Sequence, residues 1–158
     1  MKFRTVNDLK TIQINEMNLT SIKLADNTLS LALEGAVIKA DNPNNNRYQD
    51  VYCTQMELVF TQVQLRGFCL QGFKYYDADG RLLNEVPSRT LTDEERAAAL
   101  DLPSGAWVFA LECCDPDQKL YRLIYDVDDD DSTKTYELEF TFGGSTATWE
   151  RFAGPVEG

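Results

Sequence analysis

Five aspartates stand within six residues at Asp126-Val127-Asp128-Asp129-Asp130-Asp131. Carboxylates so close repel one another, and a hard divalent cation would relieve the repulsion through oxygen coordination. Calcium is the ion to consider, with Asp126, Asp128 and Asp130 as ligands and Asp77 and Asp79 of a second acidic loop completing the set. A hydrated hairpin loop relieves the same repulsion more simply, because solvent screens charges that are not held together. The Asp77-Ala78-Asp79-Gly80 stretch reads first as a turn. Counted from Asp77, glycine falls at the fourth position instead of the sixth and the twelfth residue is Ser88, so the EF-hand pattern fails.

Acid-base and covalent chemistry is harder to find. The chain has no histidine, which removes the commonest general base near neutral pH, histidine metal sites, and every Ser-His-Asp or Cys-His arrangement. No glycine-rich phosphate motif is present, and Gly143-Gly144 alone reads as a turn, so no cofactor is expected. A carboxylate-dependent hydrolase needs two acids at a fixed separation, and a sequence rich in surface acids does not single out a pair. Cys53 and Cys69 lie in apolar runs, while Cys113 and Cys114 are adjacent with no CxxC spacing. All four are expected to be reduced thiols acting as small hydrophobes in or near the core.

Aromatic residues offer a binding reading, as a carbohydrate platform or a protein contact. Most of the seven tyrosines, eight phenylalanines and two tryptophans fall in alternating runs, where core packing claims them. Trp149, Tyr48 and Tyr52 stand among polar residues and are the surface candidates.

Charge is the most informative global property. The formal net charge is -11, and residues 1–90 balance while residues 91–158 carry the whole excess. Nucleic-acid binding is disfavoured, because phosphate contacts need a cationic surface. An anionic membrane would repel the same face. No run approaches the roughly 20 apolar residues that span a bilayer, and no apolar signal core follows the first lysines and arginine, so the cytoplasm is expected, or secretion if a leader has been removed. Solubility alone accounts for the acidity. The sharper reading is a face that steers a basic protein partner, built from Glu137 and Glu139 on the polar side of one strand and extended by Asp128, Asp129, Asp130 and Asp131.

The elements that position these groups are strands. Residues 50–76 form the longest strand-forming run, with Tyr52, Met56, Leu58 and Phe60 on one side and Val59, Val63 and Leu65 on the other, so the apolar face changes sides near residues 59–61. A bulge or a crossing between sheets would do this. After Gly67 a second long strand is expected to run through Phe68, Leu70, Phe73, Tyr75 and Tyr76, with Arg81 to Val86 returning after the turn.

Residues 19–24 and 28–34 pair around Asp26-Asn27, and residues 41–46 form a hydrophilic loop. Thr92-Asp93-Glu94-Glu95 opens one short helix near residues 93–101 with a capping box. Residues 106–152 alternate through Trp107, Phe109 and Leu111, then Tyr121, Leu123 and Tyr125, then Tyr136, Leu138, Phe140 and Phe142, and are expected to form a four-strand meander. The expectation is one all-β domain over residues 1–158, an antiparallel β-sandwich of eight to ten strands, a jelly-roll arrangement included, with a closed barrel as the alternative and that helix as a cap. Its expected function is a non-enzymatic acidic protein-interaction module, against a calcium- or carbohydrate-binding sandwich and a carboxylate-dependent hydrolase.

Overall fold

The computed structural model describes residues 2–128 and 132–156. The described strands are β1 (Phe3–Val6), β2 (Ile12–Gln13), β3 (Asn18–Ala25), β4 (Thr28–Ile38), β5 (Val51–Thr61), β6 (Gln64–Leu70), β7 (Phe73–Tyr76), β8 (Leu82–Val86), β9 (Arg89–Thr90), β10 (Ala106–Asp115), β11 (Leu120–Asp128), β12 (Thr133–Thr141) and β13 (Gly144–Pro155). One helix, α1 (Asp93–Ala99), separates β9 from β10. All paired strands are antiparallel, in the order β1-β13-β5-β4-β3-β10-β11-β12-β6-β9, with β2 on β4 and a separate β7-β8 ribbon.

The long sheet acts as two layers. β3 and β10 join them through only two register pairs, Ala106 with Leu19 and Trp107 with Asn18. The chain crosses between layers twice, each time in two residues: Gln62-Val63 leads from β5 to β6, and Phe142-Gly143 leads from β12 to β13. Val63 N–H donates to the Asn27 carbonyl and Gly143 N–H to the Thr61 carbonyl, each at 2.8 Å, so neither crossover leaves its buried amide unpaired. A Cβ at Gly143 would run into the Gln62 side chain. Between the layers the ring of Phe60 on β5 meets Phe140 of β12 at 5.0 Å and Phe142 at 4.9 Å, both edge to face.

A crease runs across three neighbouring strands. Buried positions pass from Leu33 to Ala36 on β4 and from Met56 to Cys53 on β5, and the apolar positions pass from Trp149 to Phe152 on β13, a step of three in each strand. Such a step moves the buried set to the other side of a period-two strand. On β5 it is made at Gln55, whose φ of 39° lies in the left-handed region. The change of face expected near residues 59–61 is the crossing after Thr61, where the buried positions step from Phe60 to Val63; the crease at Gln55 is a further change, and it turns Tyr52 outward, off the face of Met56, Leu58 and Phe60 where the alternation had placed it.

Asparagines close one end. Asn42 and Asn45 are buried, and Asn42 Nδ2 donates to the Thr5 and Thr11 hydroxyls at 3.0 and 2.9 Å. Asn45 Nδ2 reaches the carbonyls of Ile38, Lys39 and Gln49. The expected hydrophilic loop is thus partly a buried polar plug, tolerable because its amides are satisfied. The capping box forms as the sequence predicts: Thr92 Oγ1 accepts from Glu95 N–H, and Glu95 Oε1 accepts from Thr92 N–H, both at 3.2 Å. Arg89 beside Glu95 holds that carboxyl below its ordinary value. Tyr125 fixes α1 to the interior by donating its hydroxyl to the Ala99 carbonyl at 2.9 Å.

Several expectations are corrected. Residues 106–152 are not a four-strand meander, because β13 leaves β12 and pairs with β1 and β5. Phe142 to Ser145 is a crossover and not a hairpin. β7 does not continue β6. Gln71-Gly72 interrupts them, and a Cβ at Gly72 would strike the Val86 carbonyl. Thirteen strands are described instead of eight to ten: β1 lies in a stretch too polar to stand out, the two-residue β9 is too short to display alternation, and β6 and β7 are separate where one strand is expected.

Replacing Phe60 with alanine should remove about 3–5 kcal/mol of stability, as for a fully buried ring. The same change at exposed Phe109 should stay within about 0.5 kcal/mol. Urea denaturation of the two variants measures the contrast; similar losses would show that the interlayer ring cluster is not the core.

Candidate functional site

Alternation on β11 and β12 sends Leu123, Tyr125, Leu138 and Phe140 inward, leaving Arg122, Ile124 and Asp126 beside Glu139, Glu137 and Thr135 on the outer face. The acids there are not equivalent. Glu139 Oε1 accepts from both Nε and Nη2 of Arg122, at 2.9 and 2.6 Å, and the carboxylate holds that guanidinium's pKa above its ordinary value. Glu137 Oε1 accepts a long bond from Gln71 at 3.4 Å. Asp126 and Asp128 accept from the hydroxyls of Thr135 and Thr133, at 2.6 and 2.8 Å. Hydroxyl partners leave a carboxylate its full charge, whereas an arginine partner cancels it. The field of this face therefore comes from Asp126 and Asp128, together with Glu137 and the exposed Glu112 of β10, which also neighbour Arg122, and Glu139 contributes little. Asp129, Asp130 and Asp131 lie outside the described residues.

β10 adds aromatics to the same edge of the layer. Trp107 stands opposite Asp126, and Glu112 opposite Arg122. A register shift between Val108 and Ala110 accommodates Phe109 as an extra residue. The buried residues are Val108 and Ala110, while Trp107 is 41% and Phe109 58% exposed. The expected apolar set of Trp107, Phe109 and Leu111 is thus met only in part: Val108 takes the core position before the bulge, and Leu111, opposite Leu123, packs against the core after it. Trp149, read as a surface candidate, is fully buried and stacks on Phe3 at 5.8 Å. Tyr48 and Tyr52 are exposed as expected.

The calcium arrangement gains nothing from the described residues. Asp77 Oδ1 accepts from the N–H groups of Asp79 and Arg81, both at 2.9 Å, which is turn capping. No three acidic or thiol side chains among the described residues gather to hold a metal ion, so Asp77 and Asp79 do not complete a set with Asp126 and Asp128.

Two concave regions bear on the hydrolase and carbohydrate readings. A cleft of about 320 Å³ lies between Asn7 to Lys10 and the β10-β11 turn, floored by Tyr121 and Phe142, whose rings meet at 5.3 Å. Its polar groups are largely spent on the fold: Lys119 Nζ donates to the Gly143 carbonyl and Asn7 Oδ1 accepts from Ser145 N–H. One acid, Asp8, lines it, where glycoside hydrolysis needs two. At the crease, Glu34 and Glu150 flank a depression with Thr54, Gln55 and Arg151. Both acids are exposed, and Glu34 Oε2 accepts from Asn18 Nδ2 at 3.0 Å.

The described cysteines are free thiols. Cys53 is buried, and desolvation pushes its pKa up to about 12. Cys113 and Cys114 are exposed, contrary to the expectation that all four sit in or near the core; they lie in the run Glu112 to Cys114 at the end of β10, where the register with β11 is irregular and no residue is buried. No helix among the described residues is long and apolar enough to cross a membrane.

No protein-family model, curated protein or solved structure matches the chain.

Because thiolate is the reactive form, a thiol reagent at mildly alkaline pH should modify Cys113 and Cys114 in the native protein and Cys53 only after unfolding. Peptide mapping of the labelled chain checks this; rapid native labelling of Cys53 would contradict its burial.

Proposed function

We propose that this chain is a non-enzymatic protein-binding module that meets a basic protein through the outer face of β10, β11 and β12. One observation carries the reading: Trp107 and Phe109 are turned to solvent beside a face that carries the carboxylates of Asp126, Asp128, Glu137 and Glu112. Aromatic anchors supply most of the energy at protein contacts, and a surrounding acidic rim raises the encounter rate with a cationic partner more than it raises final affinity. Free thiols, two of them exposed, support a reducing compartment such as the cytoplasm. Asp129, Asp130 and Asp131 extend the same acidic run in sequence and belong to the proposed field. Nucleic acid fits poorly with a surface of this sign.

The test is affinity capture with the intact chain followed by binding kinetics on the captured protein. Trp107→Ala should weaken binding by tenfold or more, on the order of 1.4 kcal/mol, through faster dissociation. Reversing Asp126, Asp128 and Glu137 to lysine should slow association at least tenfold and flatten its dependence on salt. Failure to capture a basic protein, or a partner indifferent to both changes, would contradict the reading.

A further inference from the structure

β7 and β8 form a ribbon that shares no ladder with the main sheet, and all nine of its strand residues are exposed. Its side chains are not those of a solvated loop. Phe73 pairs with Val86 and Tyr75 with Asn84, which places Phe73, Tyr75 and Val86 on one face, and the two rings meet edge to face at 5.0 Å. Past the irregularity at Leu83, Tyr76 pairs with Leu82 on the other face, beside the Lys74-Glu85 ion pair at 3.9 Å. Six large apolar residues, Phe73, Tyr75, Tyr76, Leu82, Leu83 and Val86, are each between 39% and 67% exposed. A lone two-stranded hairpin is marginal in water, and an apolar surface of this extent marks a contact.

We infer that the ribbon is a self-association surface: Phe73, Tyr75 and Val86 pack against the same residues of a second copy across a two-fold axis, with Tyr76, Leu82 and Leu83 at the rim. This goes beyond the proposed basic partner and uses different residues. Charge favours a second copy. From Phe73 to Val86 the chain carries Lys74 and Arg81 against Asp77, Asp79 and Glu85, close to neutral within a chain of net charge -11. A surface that meets its own copy meets its own sign, so a strongly acidic face repels where a nearly neutral one does not. A near-neutral surface also has nothing with which to select a basic protein.

Area sets the strength of the contact. With about 200 Å² per aromatic side chain, the two half-exposed rings and Val86 offer about 250 Å² on the contacting face, so two copies bury about 500 Å² there, and about 800 Å² if the rim residues are half covered. That is the small end of protein contacts, so the dimer is weak and forms only as concentration rises.

Size-exclusion chromatography with light scattering, run on the intact chain over a range of micromolar concentrations, tests the inference. The expected result is a mass that rises from one chain toward two with concentration, and that stays at one chain in the double variant Phe73→Ser, Tyr75→Ser, while the urea transition of the main sheet is unchanged. Tyr76→Ser should weaken the dimer less than the double variant does. Trp107→Ala should leave it intact, so this surface and the one proposed for the basic partner stand or fall separately. A one-chain mass throughout, a two-chain mass surviving in the double variant, assembly beyond two chains, or a monomer whose ribbon instead binds another protein or a lipid vesicle would each overturn the inference.

Discussion

Two crossovers, each of two residues, impose the shape of this molecule. β5 and β6 stand six positions apart in the strand order, as do β12 and β13. In a flat sheet with strands about 4.8 Å apart, that separation is roughly 29 Å. The three Cα-to-Cα steps across either link reach at most about 11 Å. The sheet must therefore fold over until its layers approach the roughly 10 Å spacing of packed sheets. Phe60, Phe140 and Phe142 fill the space at this closure, and the amides of Val63 and Gly143 are satisfied there. The thin β3-β10 junction follows, since only a short ladder can turn so sharply.

Folding over also decides which faces are left for function. Once Leu123, Tyr125, Leu138 and Phe140 are committed inward, Glu137, Glu139 and Asp126 must face out, and β10 must match that register with Val108 inside. Trp107 is then forced toward solvent. Within the outward face, Arg122 converts Glu139 from an exposed charge into half of an ion pair that spans β11 and β12. Being about one-third exposed, this pair contributes modestly to stability, and its larger effect is to leave the negative field to its neighbours.

The sequence made the clean alternations legible. β12 shows one apolar and one polar parity, the β3-β4 turn has Asp26 and Asn27 at positive φ as a tight hairpin requires, and the helix cap follows from Thr92 and Glu95. β10 resists such reading because a bulge at Phe109 breaks its alternation: Trp107 and Phe109 face solvent, while Val108 before the bulge and Leu111 after it face the core. The ribbon was misread because Phe73, Tyr75 and Tyr76 have core composition but lack a layer to cover them. Trp149 lay among polar residues in sequence and entered the core because β13 is sandwiched between β1 and β5. Arg122 had no signal of its own; its role depends on the register that sets it opposite Glu139.

The destination of β13 separates this architecture most directly from the simpler meander. A proton NOESY spectrum of the isotopically labelled chain should contain ring contacts between Phe60 and both Phe140 and Phe142, together with α-proton contacts between β13 and β5 around Ala147 and Leu58. Cross-strand α-proton contacts joining β12 directly to β13, with Phe60 remote from Phe140, would contradict the folded-over sheet and with it the assignment of the outward face.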